Sequence, residues 1–163
     1  MARLLILVTF VLTACGTAPL TQVILVRHAE KADASRDTDL SEAGQQRAAR
    51  LAQVVSEVPL RAVYATQFRR TQATVTPAAA AQHQAIEVMD AGDIAGLVRS
   101  IQDHHQGETV LVAAHSNTIP KIVAALGGPA IADLAEDAFD DLFILSWVGS
   151  GKARLLRLHL DRP

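Results

Sequence analysis

The sequence predicts an α/β fold: a three-layer sandwich with a mainly parallel central sheet and a hairpin at the C-terminal end. Three observations predict it. The runs VILV (23–26) and TVLVAA (109–114) are apolar almost throughout, as strands buried on both faces are. Between them apolar residues recur at helical spacing: Leu51, Val54, Val55 and Val58, then Ile94, Leu97, Val98 and Ile101. Beyond them two apolar stretches flank Gly149-Ser150-Gly151, which is hairpin-turn chemistry.

Taken in order, Val23–Val26 is the first strand and 32–39 a polar loop. Ser41 suits a helix N-cap and Glu42 the first turn, with Pro59 as the stop. Ala62–Ala65 is a short second strand. Phe68–Ala81 is a helix that Pro77 is expected to bend or divide. Ile86–Met89 is a third strand, and the helix marked by Ile94 to Ile101 leads to the fourth, Thr109–Ala114. Asn117–Leu126 is a helix with Pro120 near its start, ended by Gly127-Gly128-Pro129. Leu142–Val148 and Ala153–Leu160 form the closing hairpin, with Trp147 in the core and His159 exposed among leucines.

The amino terminus stands apart from this pattern. Arg3, the apolar run Leu4–Leu12 and the small residues before Cys15 read as a signal peptide, residues 1–14. The run is too short for a membrane-spanning helix. Leu12-Thr13-Ala14-Cys15 resembles the lipobox of bacterial lipoproteins, which implies a lipidated Cys15. Cys15 is the only cysteine, so it has no internal disulfide partner. Residues 15–21 are then the lipidated Cys and a short tether, and 22–163 the domain. The five residues Gly16–Leu20 reach at most roughly 18 Å, which holds the domain close to the membrane. Gly16 rather than aspartate after the cysteine resembles outer-membrane lipoproteins. The expected location is the bacterial cell envelope, lipid-anchored on the periplasmic face.

Composition narrows the function. A net charge of −2 argues against binding nucleic acid by neutralising phosphates, and 4% aromatics leave little for base stacking. In an open parallel sheet, ligands bind beyond the carboxyl ends of the strands. The first strand ends in Arg27-His28, the second runs into Gln67-Phe68-Arg69-Arg70, and the fourth ends in His115-Ser116-Asn117. Two imidazoles and at least two guanidiniums therefore meet at one rim. Arginine grips a phosphoryl group bidentately, and Asn117 opens a helix whose N-terminus favours an anion. The rim reads as a phosphate pocket with histidines inside it.

The stretches LVRHAEK, LSEAGQQRA, VYATQFRRTQAT and VLVAAHSNT resemble, in that order, the motifs of the histidine phosphatase superfamily, also called phosphoglycerate mutase-like. The resemblance runs from about Gln22 to Gly128. It implies the phosphoglycerate mutase-like sandwich, His28 as nucleophile, Arg27 as its phosphate-gripping neighbour, Arg70 as the pocket arginine and His115 as the second pocket histidine. It aligns Thr66 and Thr74 with the same motif and leaves Arg69 at a variable position. Ala29 replaces the glycine common after the histidine. Ala34 stands where mutases carry an asparagine, and the mutases' acidic Gly-x-x-Glu-Gly stretch is missing.

A neutral imidazole attacks phosphorus near neutral pH, and two arginines with a second histidine spread the developing charge. The leaving alcohol needs a proton and water needs a base; one carboxyl group serves both steps. Asp90 is the candidate, Asp93 the alternative, and Glu30 and Asp33 are fallbacks. Arg27, Arg70, His115 and Asn117 are the substrate-binding candidates. The scheme needs no metal or cofactor, and DHHQGE (103–108) reads as a polar loop rather than a metal site. The expected partner is a phosphorylated small molecule or protein. The expected function is a phosphatase working through a phosphohistidine. The alternatives are a phosphotransferase or mutase of the same family, or a non-catalytic envelope lipoprotein that binds a phosphorylated ligand.

Overall fold

The computed structural model describes residues 18–160. Residues 1–14, expected to be a signal peptide, and Cys15 lie outside the described residues. The strands are β1 (Leu20–Arg27), β2 (Leu60–Thr66), β3 (Ile86–Met89), β4 (Thr109–Ala114), β5 (Asp141–Val148) and β6 (Arg154–His159). The helices are α1 (Glu42–Val54), α2 (Arg69–Ala81), α3 (Ile94–His104) and α4 (Ile119–Ala125).

The six strands form one sheet in the order β3-β2-β4-β1-β5-β6. β1 pairs parallel with β4, and β2 parallel with both β4 and β3. β5 is antiparallel to β1 and to β6, which closes the sheet with the expected hairpin. The α/β sandwich with a mostly parallel sheet is therefore present.

Why β1 is apolar at successive positions is visible in the packing. Val23 and Leu25 belong to one buried cluster, with Leu97, Val98 and Ile101 of α3 and Ile119, Ile122 and Val123 of α4. Ile24 and Val26 belong to the other, with Leu51 of α1 and Val75, Ala78 and Ala79 of α2. Consecutive side chains point to opposite faces, and each face has its own helix pair. β4 divides in the same way, with Val110 and Val112 on the first face and Leu111 and Ala113 on the second.

Several boundaries differ from the sequence expectation. β1 starts at Leu20, because Leu20 and Thr21 find antiparallel partners in Val148 and Trp147. α1 has its expected cap, with Ser41 Oγ accepting from Gly44 N at 3.1 Å, but ends at Val54, ahead of Pro59. Val55, 0% exposed, turns inward there and ends the helix before the proline is reached. α2 is not divided: it runs through Pro77, with Val75, Ala78 and Ala79 buried on either side of the proline. Tertiary burial outweighs the lost N–H of Pro77. The turn after α2 is made by His83 at φ 55°, with Gln84 N bonded back to Ala79 O at 2.9 Å. α4 begins only at Ile119, so Asn117 lies in the preceding turn and does not open the helix. Trp147 is half-buried against the first cluster, and His159 is half-buried beside Asp140 and Asp141.

Candidate active site

Register brings the two histidines together. Arg27 lies opposite Ala114 in the β1–β4 ladder, and His28 N donates to Ala114 O at 2.9 Å. His28 and His115, 87 positions apart in sequence, therefore leave adjacent strands side by side. Their ring centroids are 5.4 Å apart. Both residues are buried, at 5% and 9% exposure.

Each ring is held by a specific bond. The Nδ1–H of His28 donates to Ala29 O at 2.8 Å, which leaves Nε2 with its lone pair. Ala29 N in turn donates to Thr74 Oγ1 at 2.9 Å, and that hydroxyl donates to Arg70 O at 2.7 Å. The loop after β1 is thus tied to the first turns of α2. His115 Nε2 lies 3.0 Å from Thr66 Oγ1, which lies 2.8 Å from Thr71 Oγ1. The Thr71 hydroxyl donates to Phe68 O at 2.7 Å. Its proton being spent there, Thr66 donates to Thr71 and accepts from His115 Nε2–H. Phe68 packs edge-on against His115 at 5.4 Å.

The arginines frame these rings. Arg70 stacks over Phe68 at 4.4 Å and donates through Nη1 to Arg36 O at 2.8 Å. Arg27 stacks over Phe139 at 4.1 Å, and its Nη1 donates to Ala135 O and Glu136 O at 2.7 and 2.9 Å. Phe139 also sits 6.1 Å from the His28 ring. The Nε groups of both Arg27 and Arg70 are buried with no hydrogen-bond partner among the described residues. Unpaired buried donors of this kind are costly and mark a place where an anion would be welcome.

The electrostatics follow from burial. His28 is pushed down from 6.5 to about 4, first by burial and then by the charges of Arg70, His115 and Arg27, against the opposing pull of the Ala29 carbonyl. Burial, then Arg70 and Arg27, likewise push His115 down to about 4. Both imidazoles are therefore neutral at physiological pH.

An open crevice of about 690 Å³ lies over this group, lined by His28, Phe68, Arg70, His115, Asn117 and Lys121 among others. Asn117 thus reaches the crevice from the turn before α4. The expected acids are placed otherwise. Asp90 accepts from Gln67 Nε2 at 3.2 Å and Gly92 N at 2.7 Å, and lines a small adjoining cavity instead of the crevice. Asp93 caps α3 through Gly96 N at 2.8 Å. Glu30 is held by Arg47, and Asp33 accepts from Ser35 N. Phe139 and Lys121 had no signal in the sequence, since neither lies near a strand end that carries a motif. Among the described residues one group could bring three ligand atoms to a metal: Asp140, Asp141 and His159. None of the three lines the crevice, and Asp141 is already held bidentately by Arg157.

Residues 23–91 match the family model of the histidine phosphatase superfamily, branch 1. No match was found among curated protein sequences. Solved structures share the fold. The protein histidine phosphatase SixA, complexed with tungstate, has a TM-score of 0.68 at 19% identity, over 85% of this chain and 97% of that one. The mycobacterial glucosyl-3-phosphoglycerate phosphatase has a TM-score of 0.65 at 14% identity, over 86% and 98%. YhfR of Bacillus stearothermophilus has a TM-score of 0.64 at 19% identity, over 82% and 94%. The family match covers residues 23–91, and the solved structures share the fold of the sandwich.

The pKa directions give a test of the site itself. In the unfolded chain the two rings titrate near the ordinary value of 6.5, and in the folded chain at about 4. The unfolded state therefore binds protons first, and stability is expected to fall as pH drops from about 6.5 toward 4. Imidazole NMR signals of His28 and His115 should stay at their neutral positions down to about pH 5. Saturating tungstate should raise both pKa values, because a bound anion favours the imidazolium. Rings that titrate near 6.5 without an anion would contradict this picture.

Proposed function

We propose that the protein is a metal-independent phosphatase that hydrolyses phosphate monoesters through a phosphohistidine at His28. The observation that carries this reading is the buried His28 ring, neutral and with Nε2 free, beside two guanidiniums whose Nε donors are unpaired. The lone pair of Nε2 attacks phosphorus and the P–O bond to the leaving group breaks. Arg70, with Arg27 and His115, takes up the charge on the phosphoryl oxygens. Water then attacks the phosphorus, the P–N bond breaks, and inorganic phosphate leaves with Nε2 restored. Matching phosphatases among the solved structures support the reaction class.

The leaving group's proton is assigned to Asp90. It is exposed and precedes Ala91 and Gly92, both of which line the crevice. Both of its carboxyl oxygens already accept hydrogen bonds, one from Gln67 Nε2 and one from Gly92 N. That observation favours a second reading of the substrate: a phosphorylated protein histidine, the substrate named for SixA. A phosphoimidazole protonated at its other nitrogen departs neutral and needs no donor.

The exported, lipid-anchored state is a separate proposal. It rests on the apolar run Leu4–Leu12 followed by Leu12-Thr13-Ala14-Cys15. Among the described residues no helix is long and apolar enough to cross a membrane.

Three outcomes are expected. Rapid quenching with labelled phenyl phosphate should trap acid-labile, base-stable label on His28, and His28→Ala should lose at least 1,000-fold in turnover, on the order expected for a covalent nucleophile. Near wild-type turnover by His28→Ala, or turnover that stops on adding chelator, would falsify the mechanism. Asp90→Asn should slow alkyl phosphates at least tenfold more than p-nitrophenyl phosphate, whose leaving group needs little proton donation. Equal losses, or none, would remove Asp90 from the role and favour the phosphohistidine substrate. Cys15→Ala should move the protein from the membrane to the soluble periplasmic fraction. An unchanged distribution between the two fractions would sink the anchor proposal.

A further inference from the structure

The crevice is larger and more lopsided than a phosphoryl pocket requires. Its volume of about 690 Å³ falls in the range of roughly 300–1,000 Å³ typical of pockets that enclose a drug-sized molecule. His28, Phe68, Arg70 and His115 crowd one part of it. The α4 side presents Ser116, Asn117 and Lys121. Among the described residues no carboxylate lines the crevice, and its charged lining groups are the cations Arg70 and Lys121.

Two cations near the same end of the sheet are held by carboxylates. Arg69 pairs with Asp39, and Arg47 with Glu30. Lys121 is exposed, lines the crevice and has no ion-pair partner among the described residues. Asn117, four residues earlier, and Ser116 add an amide and a hydroxyl on the same side. A lysine and two residues with hydrogen-bonding side chains line that side, beyond the set that would hold the transferred phosphoryl group.

We infer that the α4 side of the crevice binds a second anionic group on the leaving portion of the substrate, a carboxylate or a second phosphate, through Lys121 with Ser116 and Asn117. The inference rests on the phosphatase reading and narrows its substrate class to phosphoesters whose leaving portion carries an anionic group of its own. A neutral leaving group would leave the lysine charge unanswered, whereas a carboxylate or phosphate placed there gains a charge-assisted hydrogen bond. The flexible lysine stem gives electrostatic attraction without the rigid fork of an arginine, so either anion fits the site.

Binding of non-hydrolysable phosphonates reads this without depending on turnover. Calorimetry on the full chain would compare benzylphosphonate with 4-carboxybenzylphosphonate and with 1,4-xylylene bisphosphonate. The wild type is expected to bind the ligands with the extra anion roughly tenfold more tightly, a difference that shrinks with added salt. Lys121→Met should bring the ratio to about one, and Lys121→Arg should keep most of it. The carboxylate and bisphosphonate arms separate the two sources of the anion. Equal affinities in the wild type, a preference that survives Lys121→Met, or no binding of either ligand would overturn the inference. Wild-type hydrolysis of phenyl phosphate, measured in parallel, reports on the phosphatase reading alone.

Discussion

The parallel pairing of β1 with β4 is the constraint on which the rest of the site depends. It sets Arg27 opposite Ala114, and one further bond, His28 N to Ala114 O, carries the register past the end of the strand. A one-residue slip would turn each ring to the opposite face of the sheet. Such a slip would also exchange the two apolar faces of β1, which pack on different helix pairs. The hydrophobic core and the histidine pair are therefore held by the same register. The core makes that register costly to change, and the chemistry inherits the precision.

Around the histidines, the local structure is built from hydroxyls and aromatic rings. Thr66 and Thr71 fix the His115 ring, while Thr74 joins the loop after His28 to α2. Phe68 and Phe139 each lie against one guanidinium and one imidazole. These rings exclude water from the groups they touch, and that burial is the main cause of the lowered imidazole pKa values. A low dielectric also strengthens every interaction with an arriving anion. The same packing that makes the empty site electrostatically unfavourable thus prepares it for a phosphoryl group.

The carboxylates show the opposite arrangement. Asp93 is spent on a helix cap, Glu30 on Arg47, and Asp141 on Arg157. Asp90 accepts two bonds at the rim. Among the described residues no carboxylate lines the crevice, which leaves Arg70 and Lys121 as its charged lining groups. Chain position puts Asp90 near the rim, and Gln67 and Gly92 N hold its carboxylate in the small cavity that adjoins the crevice.

What the sequence by itself determined was the fold class, the strand order of events along the chain, and the residues delivered to the rim. Apolar runs and helical periodicity are local properties, and the end of a buried strand is legible from the polar residues that follow it. His28, Arg70, His115 and Asn117 all reach the crevice because each follows a strand end directly or within a few residues. Tertiary structure decided what depends on contacts between distant segments. The loop at 135–139 that holds Arg27, the Phe139 ring beside His28, and the presence of Lys121 in the crevice lining have no local signature. It also decided where elements stop: Pro77 remains inside α2 because both sides of it are buried, and α4 starts two residues after Asn117 because Thr118 N and Ile119 N both turn back to His115 O. Propensity acts over a few residues, whereas burial and hydrogen-bond partners are settled only once the whole chain has packed.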